Sequence, residues 1–195
     1  MLFRSKRPMF AAVQDLVCRR ELLFLLVGRN LKIRYKNSAL GFFWSLLAPL
    51  FLIVIYMVFL KLMRFRTDLP MMVTGIIVWQ FLSMTVGDSL HAVVGNANLV
   101  TKSSFPRLVL PLSTVLANFV NFLLSGVVLL SYLIWASADL HAVALLPVAL
   151  LAHLALVSGI SLLLSAANVF FRDTEHIVSM LLLAWFFMSP VLYPL

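Results

Sequence analysis

Charged side chains are scarce in this sequence. Asp, Glu, Lys and Arg make up 11% of its 195 residues, whereas they make up about 25% of a typical soluble domain. Acidic residues are the rarest, with seven Asp and Glu against 15 Lys and Arg. Hydrophobic residues reach 63%. This composition excludes an ordinary soluble domain and indicates an integral membrane protein.

The sequence has a single cysteine and lacks the common catalytic motifs. Cys18 is the single cysteine, which excludes a disulfide within the chain and a C-x-x-C pair. No G-x-x-x-x-G-K-[ST] is present to hold nucleotide phosphates, and no H-E-x-x-H is present to bind zinc. The sequence therefore predicts no cofactor and no metal site in this chain, and it predicts that the chain is not an enzyme.

Long apolar runs are what the sequence has instead. A helix needs about 20 apolar residues to cross the hydrocarbon core of a bilayer. Five runs lack Asp, Glu, Lys and Arg, and each has a suitable length for one span, although the third and fourth should be tilted or broken near Pro111 and Pro147. We therefore predict an all-α membrane protein with five transmembrane helices. The runs are Phe42–Leu60, Pro70–Gly87, Leu108–Ala138, Leu140–Phe171 and Ile177–Leu195.

The distribution of Lys and Arg predicts the orientation of the chain. With five crossings, twelve of the 15 basic residues fall on the side of the N-terminus and three on the other. Cytoplasmic segments carry an excess of Lys and Arg, so residues 1–41 are expected to be a cytoplasmic segment and residues 42–195 the transmembrane domain. The net charge of +8 then indicates topology and contact with anionic lipid, not nucleic-acid binding.

A basic segment precedes the first apolar run. On a helix, Arg29, Lys32 and Lys36 share one stripe, while Val27 and Tyr35 belong to an apolar stripe. One interpretation is an amphipathic helix at the membrane surface. The alternative is a positively charged flank with no further role, and the residues favour the two equally. The interface-helix residues are Arg29, Lys32, Arg34, Tyr35 and Lys36.

A few polar residues interrupt the apolar runs. Asp88 and His91 are three residues apart on a predicted helix and could pair. The simpler interpretation, which we favour, places both at the level of the lipid headgroups. His153, in the fourth run, is expected to be a hydrogen-bonded packing residue.

Four blocks of the sequence resemble a known family. They are RYKNSALGFFWSLLAPL, NANLVTKSSFPRLVLPL, NVFFRDTEHIV and SPVLYP. In this order, and at these membrane boundaries, they resemble the permease subunits of ABC-2 type exporters of polysaccharides and polyol phosphates, which include O-antigen, capsule and teichoic acid exporters. The blocks extend from Arg34 to Pro194 and so cover most of the chain.

The resemblance implies a transport mechanism with several partners. Two permease copies form a channel, and a separate ATP-binding subunit with ATP and Mg²⁺ docks on the cytoplasmic side. The cargo is a lipid-linked glycan on a polyprenyl carrier, moved outward across the bacterial plasma membrane. A first cytoplasmic loop couples the permease to the ATPase, and a second loop contains Phe171, Arg172 and Asp173. The coupling residues are Asn98, Leu99, Lys102, Phe105, Pro106 and Arg107.

The same resemblance implies six membrane helices, whereas this sequence ends at Leu195 after five apolar runs. We therefore expect the chain to be truncated at its C-terminus. Trp44, Tyr56 and Trp79 could stack on sugar rings in a channel, or they could belong to the aromatic belts of the membrane interfaces.

Two alternative functions remain open on the sequence. One is an ABC-2 exporter of another cargo, such as a drug or a lipo-oligosaccharide. The other is a membrane-embedded enzyme acting on a polyprenyl-linked glycan, for which Asp88, His91, Asp173 and His176 are the available side chains.

Overall fold

The structure, a computed structural model, describes residues 20–36, 43–62, 64, 69–97, 99, 107–135 and 140–189. These residues form six α-helices and no strand, which confirms the predicted all-α class for the described part of the chain. The helices are α1 Arg20–Tyr35, α2 Trp44–Leu62, α3 Leu69–Val94, α4 Val109–Trp135, α5 Leu140–Phe170 and α6 Thr174–Met188.

Three of these helices contain segments that are long and apolar enough to cross a membrane. They are α3 over its whole length, Val109–Val127 of α4 and Leu145–Phe170 of α5. The described parts of α2 and α6 are apolar but shorter, at Leu46–Leu62 and Thr174–Met188. The described part of the chain therefore has three helices that could span a membrane, and the predicted count of five stays a prediction.

Proline interrupts the helices less than the sequence suggests. Helix α5 continues through Pro147, which excludes a break there and leaves the alternative, a tilted span, as a prediction. A membrane helix tolerates such a proline where neighbouring groups and small local adjustments satisfy the freed carbonyl. Pro111 lies in the first turn of α4, where a backbone N–H has no acceptor within the helix and its absence costs little.

Helix α3 lies at the centre of the bundle. Its side chains Met72, Ile76 and Phe81 are buried together with Phe122 of α4 and Val157 of α5. The rings of Phe81 and Phe122 stack with centroids 4.6 Å apart. In a bilayer, where lipid tails are as apolar as these side chains, close packing is what stabilises such a contact, so this cluster fixes α3 against α4 and α5.

The end of α3 depends on a glycine. Gly95 follows the helix, and its backbone N–H donates to the His91 carbonyl at 2.8 Å. A Cβ atom at Gly95 would lie 2.9 Å from that same carbonyl oxygen. Glycine therefore allows the chain to leave α3 without displacing the last turn.

Helix α1 packs on the beginning of α4 outside the central cluster. Leu26 is buried with Val109 and Leu110. Glu21 is in the first turn of α1, and Arg34 is in its last turn, so both charges favour the helix dipole. Three apolar side chains of α1 remain exposed, namely Phe24, Leu25 and Ile33.

Candidate functional site

A groove with a volume of about 630 Å³ is lined by side chains of α2, α3 and α6. Tyr56, Trp79 and Phe186 form an aromatic cluster in its wall. The Phe186 ring centroid lies 5.7 Å from that of Tyr56 and 5.5 Å from that of Trp79. Trp185 meets Trp79 edge to face at 5.7 Å. These mutual contacts hold the rings in place and give the groove a rigid aromatic surface.

The other end of the groove is charged. His91 of α3 contacts Glu175 of α6, with Nε2 and Oε1 3.2 Å apart. Asp88 lines the same end. Trp79 and His91 are separated by roughly 18 Å along α3, at about 1.5 Å of rise per residue. The groove therefore extends from an aromatic region within the apolar part of the bundle to a charged region near the last turn of α3.

The middle of the groove is unobstructed. Ser83 and Gly87 lie there on successive turns of α3. A Cβ atom built on Gly87 would meet no heavy atom within 4 Å. A small side chain could be accommodated at Gly87, and a large one would extend into the space of the groove.

A polar junction connects the end of α1 to α3 and α4. Asp88 Oδ2 accepts hydrogen bonds from Arg34 Nη2 and, at 2.9 Å, from Asn118 Nδ2. The Tyr35 hydroxyl donates to Asn121 Oδ1 at 2.7 Å. The exposed fractions of the Arg34 and Asp88 side chains are 25% and 38%. Because partial burial reduces screening by water, this ion pair is stronger than a fully exposed one.

Two further hydrogen bonds extend this contact towards the loop after α3 and the beginning of α4. Arg29 Nη1 donates to Asn96 Oδ1, and Asn30 Nδ2 donates to Ser113 Oγ, both at 3.2 Å. Asn96 Nδ2 in turn donates to the Ala92 carbonyl at 2.9 Å. Helix α1 therefore contacts both ends of the connection between α3 and α4.

Only part of the predicted coupling loop lies within the described residues. The Leu99 N–H donates to the Asn96 carbonyl at 2.9 Å, and the Arg107 carbonyl accepts from Leu110 at 3.3 Å. The other four residues fall outside the described ranges, and the coupling role of all six stays a prediction. The four residues are Asn98, Lys102, Phe105 and Pro106.

The other predicted site residues separate into distinct places. Tyr56 and Trp79 meet in the groove, whereas Trp44 lines a different cavity. Lys32 and Lys36 of the interface helix are exposed or partly exposed. The three residues of the second loop are exposed between α5 and α6, namely Phe171, Arg172 and Asp173.

The structure does not show the contact between Asp88 and His91 that helical spacing allows, which is the less favoured of the two interpretations. Asp88 binds Arg34, and His91 contacts Glu175. Each side chain therefore has a polar partner on another helix, and the placement of both at the level of the lipid headgroups stays a prediction. His153 packs against the Phe81 ring and hydrogen bonds to the Val78 backbone, as predicted.

Sequence reasoning missed several residues of the site. Phe186, Gln80 and Asn118 were not selected, because nothing in an apolar run distinguishes the side chains that face a groove. Glu175 offered a usable signal, since it is the only acidic residue of α6. Among the described residues, no group of three His, Cys, Asp or Glu side chains is placed to hold a metal ion.

A bundle of apolar helices, three of which are long enough to cross a membrane, is typical of a multi-pass membrane protein. The sequence matches the ABC-2 type transporter family over residues 21–195. The chain belongs to this family.

Two relatives extend the comparison. The chain is 38% identical to the O-antigen export system permease protein RfbA of Myxococcus xanthus over 192 residues, which is 96% of this chain and 74% of the relative. It is 32% identical to the protein of the same name from Klebsiella pneumoniae over 179 residues, which is 89% of this chain and 69% of the relative.

Proposed function

We propose that this chain is the permease subunit of an ABC exporter that moves a lipid-linked polysaccharide or polyol phosphate polymer outward across the bacterial plasma membrane. The observation that carries the proposal is the similarity over 96% of the chain to a protein named as an O-antigen export permease. The groove supports it, because its aromatic and charged regions are separated as an amphiphilic cargo requires.

The groove suggests how such a polymer is contacted. Pyranose rings have one face made largely of C–H groups, which packs well against an aromatic ring. Tyr56, Trp79 and Phe186 offer that surface. The Asp88 and Glu175 carboxylates at the charged end would accept hydrogen bonds from hydroxyl groups of the polymer. A second permease copy would complete the conduit as a homodimer.

Energy would come from a separate ATP-binding subunit carrying ATP and Mg²⁺. Its contact is proposed at the loop after α3, where Arg29 and Asn96 already join α1 to the loop. Movement of the loop would then reach α1, α3 and α4 together. The exposed second loop at Phe171–Asp173 is a further cytoplasmic surface for this subunit.

The proposed topology has five spans in this chain, with the N-terminus in the cytoplasm of an inner-membrane protein. In a background with Cys18 replaced, single cysteines at positions 67 and 139 should react with an impermeant maleimide added to intact spheroplasts. A cysteine at position 103 should react only after the membrane is opened. Labelling of position 103 from outside would reverse the orientation.

The coupling loop can be tested through Phe105. In the complete permease, Phe105→Ala should reduce co-purification of the ATP-binding subunit by about tenfold or more, since a buried aromatic anchor often contributes 2 kcal/mol or more to an interface. Lys102→Ala is the control and should have a small effect, because an exposed ion pair contributes about 0–1 kcal/mol. Normal co-purification and export by the Phe105 variant would exclude this loop as the contact.

The proposed cargo is tested by complementation. The complete permease, expressed with its ATP-binding subunit in a strain lacking its own O-antigen permease but making the matching polymer, should restore surface polysaccharide. Accumulation of lipid-linked polymer in the cytoplasmic leaflet of the uncomplemented strain is the reference. Continued accumulation despite a correctly inserted complex would assign the exporter to another cargo.

A further inference from the structure

A second cavity lies beside the groove and has a volume of about 310 Å³. Side chains of α1, α2, α3 and α4 line it, and we call it the inner cavity. Its lining extends along α3 from Ile77 to Met84, which is roughly 10 Å at about 1.5 Å of rise per residue. Trp44 and Ala48 of α2 also line it and are exposed. The inner cavity therefore reaches the outer surface of the bundle at α2.

The accessible lining of the inner cavity is almost wholly apolar, and it includes Ile77, Phe81 and Phe122. The two residues of α1 in this lining are polar, namely Arg34 and Tyr35. Their guanidinium and hydroxyl groups are both engaged in the polar junction. Arg34 and Tyr35 therefore offer the cavity mainly their methylene groups and ring, as long amphipathic side chains commonly do.

An apolar cavity of this kind favours an apolar occupant. An ordered water needs about two to four polar partners, which an apolar lining does not provide. An empty cavity would lose the dispersion contacts that its lining could make. In a membrane protein the apolar molecules at hand are lipid chains. The volume of about 310 Å³ is at the lower end of the range for small-molecule sites, about 300–1,000 Å³, and suits one linear chain.

Basic side chains lie at the end of α1 that borders the inner cavity. Lys32 and Arg34 are in the last turn of α1, and Lys36 follows the helix. Lys32 and Lys36 are exposed. The sequence has no acidic residue between Glu21 and Asp68. Lys and Arg near a membrane surface attract anionic lipids, so this end of α1 favours an anionic headgroup.

We propose that the inner cavity binds one acyl chain of an anionic phospholipid, whose headgroup lies at Lys32 and Lys36. The chain enters beside Trp44 and Ala48 and fills the space between α2 and the other three helices. The bound lipid contacts α1 and α2 together and supports the position of α1 on the bundle. The ligand is a membrane lipid and not the cargo, so the proposal does not rest on the proposed function.

The probe is a phosphatidylglycerol that carries a photoreactive diazirine near the end of one acyl chain. It is a minor component of phosphatidylcholine nanodiscs that contain the complete permease bound to its ATP-binding subunit. After illumination, labelled peptides should map to α2, α3 and α4 around the inner cavity. The exposed side chains of α5, such as Leu151 and Leu163, provide the reference for unselective contact with lipid.

Headgroup selectivity is measured with a phosphatidylcholine that carries the same diazirine chain. Relative to α5, the cavity peptides should be labelled about fivefold more by the phosphatidylglycerol probe, because basic side chains attract anionic headgroups. Lys32→Glu combined with Lys36→Glu should remove this preference. Lys32→Arg combined with Lys36→Arg preserves both charges and should keep it.

A substitution at the edge of the inner cavity tests the acyl-chain site. Ala48→Phe places a ring where the chain enters and should reduce labelling of the cavity by about tenfold. Ala155→Phe is the matched control, because Ala155 is exposed on α5 and does not line the cavity. The control should label normally. Co-purification of the ATP-binding subunit shows that each variant is folded.

Three results would overturn the proposal. Equal labelling of the cavity by the two probes would mean that no anionic phospholipid is selected. Normal labelling of a folded Ala48→Phe protein would place the chain outside the cavity. Stronger displacement of the probe by a polyprenyl phosphate than by phosphatidylglycerol would assign the cavity to the carrier of the cargo. Because labelling requires no export, failure of the complementation experiment would refute the proposed cargo and leave this result unaffected.

Discussion

Replacing Gly87 with tryptophan should reduce polysaccharide export by about tenfold or more, while the permease remains folded. The reason is steric. Gly87 lines the groove between α2, α3 and α6, and no heavy atom lies within 4 Å of a Cβ atom built there. A tryptophan side chain at this position should therefore extend into the groove. Removal of a helical glycine also favours the helix by some tenths of a kcal/mol.

Substitutions of different size at Gly87 distinguish obstruction of the groove from damage to the fold. Gly87→Ala should export normally and unfold at a slightly higher temperature, because alanine in a helix is favoured over glycine by about 0.5–1 kcal/mol. Gly159→Trp is the matched control, since Gly159 is exposed on α5, has open space beside it and does not line the groove. Surface polysaccharide, inserted permease and thermal stability are measured together. Normal export by a fully inserted Gly87→Trp protein would show that cargo does not pass through this groove.

The helices could be predicted from sequence because membrane spans follow a local rule. The bilayer thickness fixes a length, and runs such as Pro70–Gly87 and Leu140–Phe171 satisfy it without reference to any other segment. The structure has α3 and α5 at these places. The effect of Pro147 on helix α5 could not be predicted from the neighbouring sequence. Whether a proline breaks a membrane helix depends on which groups surround the carbonyl that loses its hydrogen bond.

The candidate site was only partly predictable, because it is made by contacts between helices. The sequence indicates Tyr56 and Trp79 as candidate site residues because they are aromatic and lie near a predicted membrane boundary. Their neighbour Phe186 lies in an apolar run, where nothing distinguishes it from the other apolar side chains as a groove residue. Asp88 was noticed as an acid in a span, yet its partner Arg34 is 54 residues earlier in the chain. Helical spacing suggested His91 instead, and packing of α1 against α3 and α4 decided the pairing.

The second large effect should come from the polar junction. Arg34→Asp should reduce export by about tenfold or more while ATP hydrolysis by the complex continues. The substitution places two carboxylates together in a partly buried position and leaves Asp88 with Asn118 alone. Breaking a partly buried ion pair costs about 1–3 kcal/mol. The substitution therefore weakens the attachment of α1 to α3. We propose that motion of the loop after α3 is transmitted through this attachment.

The reversed pair provides the decisive measurement. Arg34→Asp combined with Asp88→Arg restores opposite charges, and Asn118 can rotate its amide so that its oxygen accepts from the new arginine. The double variant should therefore recover at least about half of wild-type export, whereas Asp88→Arg alone should be as defective as Arg34→Asp. Rescue of this kind identifies the interaction itself and excludes a role for either charge alone.

A more exposed side-chain contact, between α3 and α6, is the control. His91 and Glu175 have exposed side-chain fractions of 57% and 47%, so removing their contact with His91→Ala should change stability by about 1 kcal/mol or less. Export should stay near the wild-type level. If the double variant remains defective although it is inserted and bound to the ATP-binding subunit, the Arg34–Asp88 pair does not transmit motion. If His91→Ala is as damaging as Arg34→Asp, the sensitivity belongs to the charged end of the groove and not to the attachment of α1.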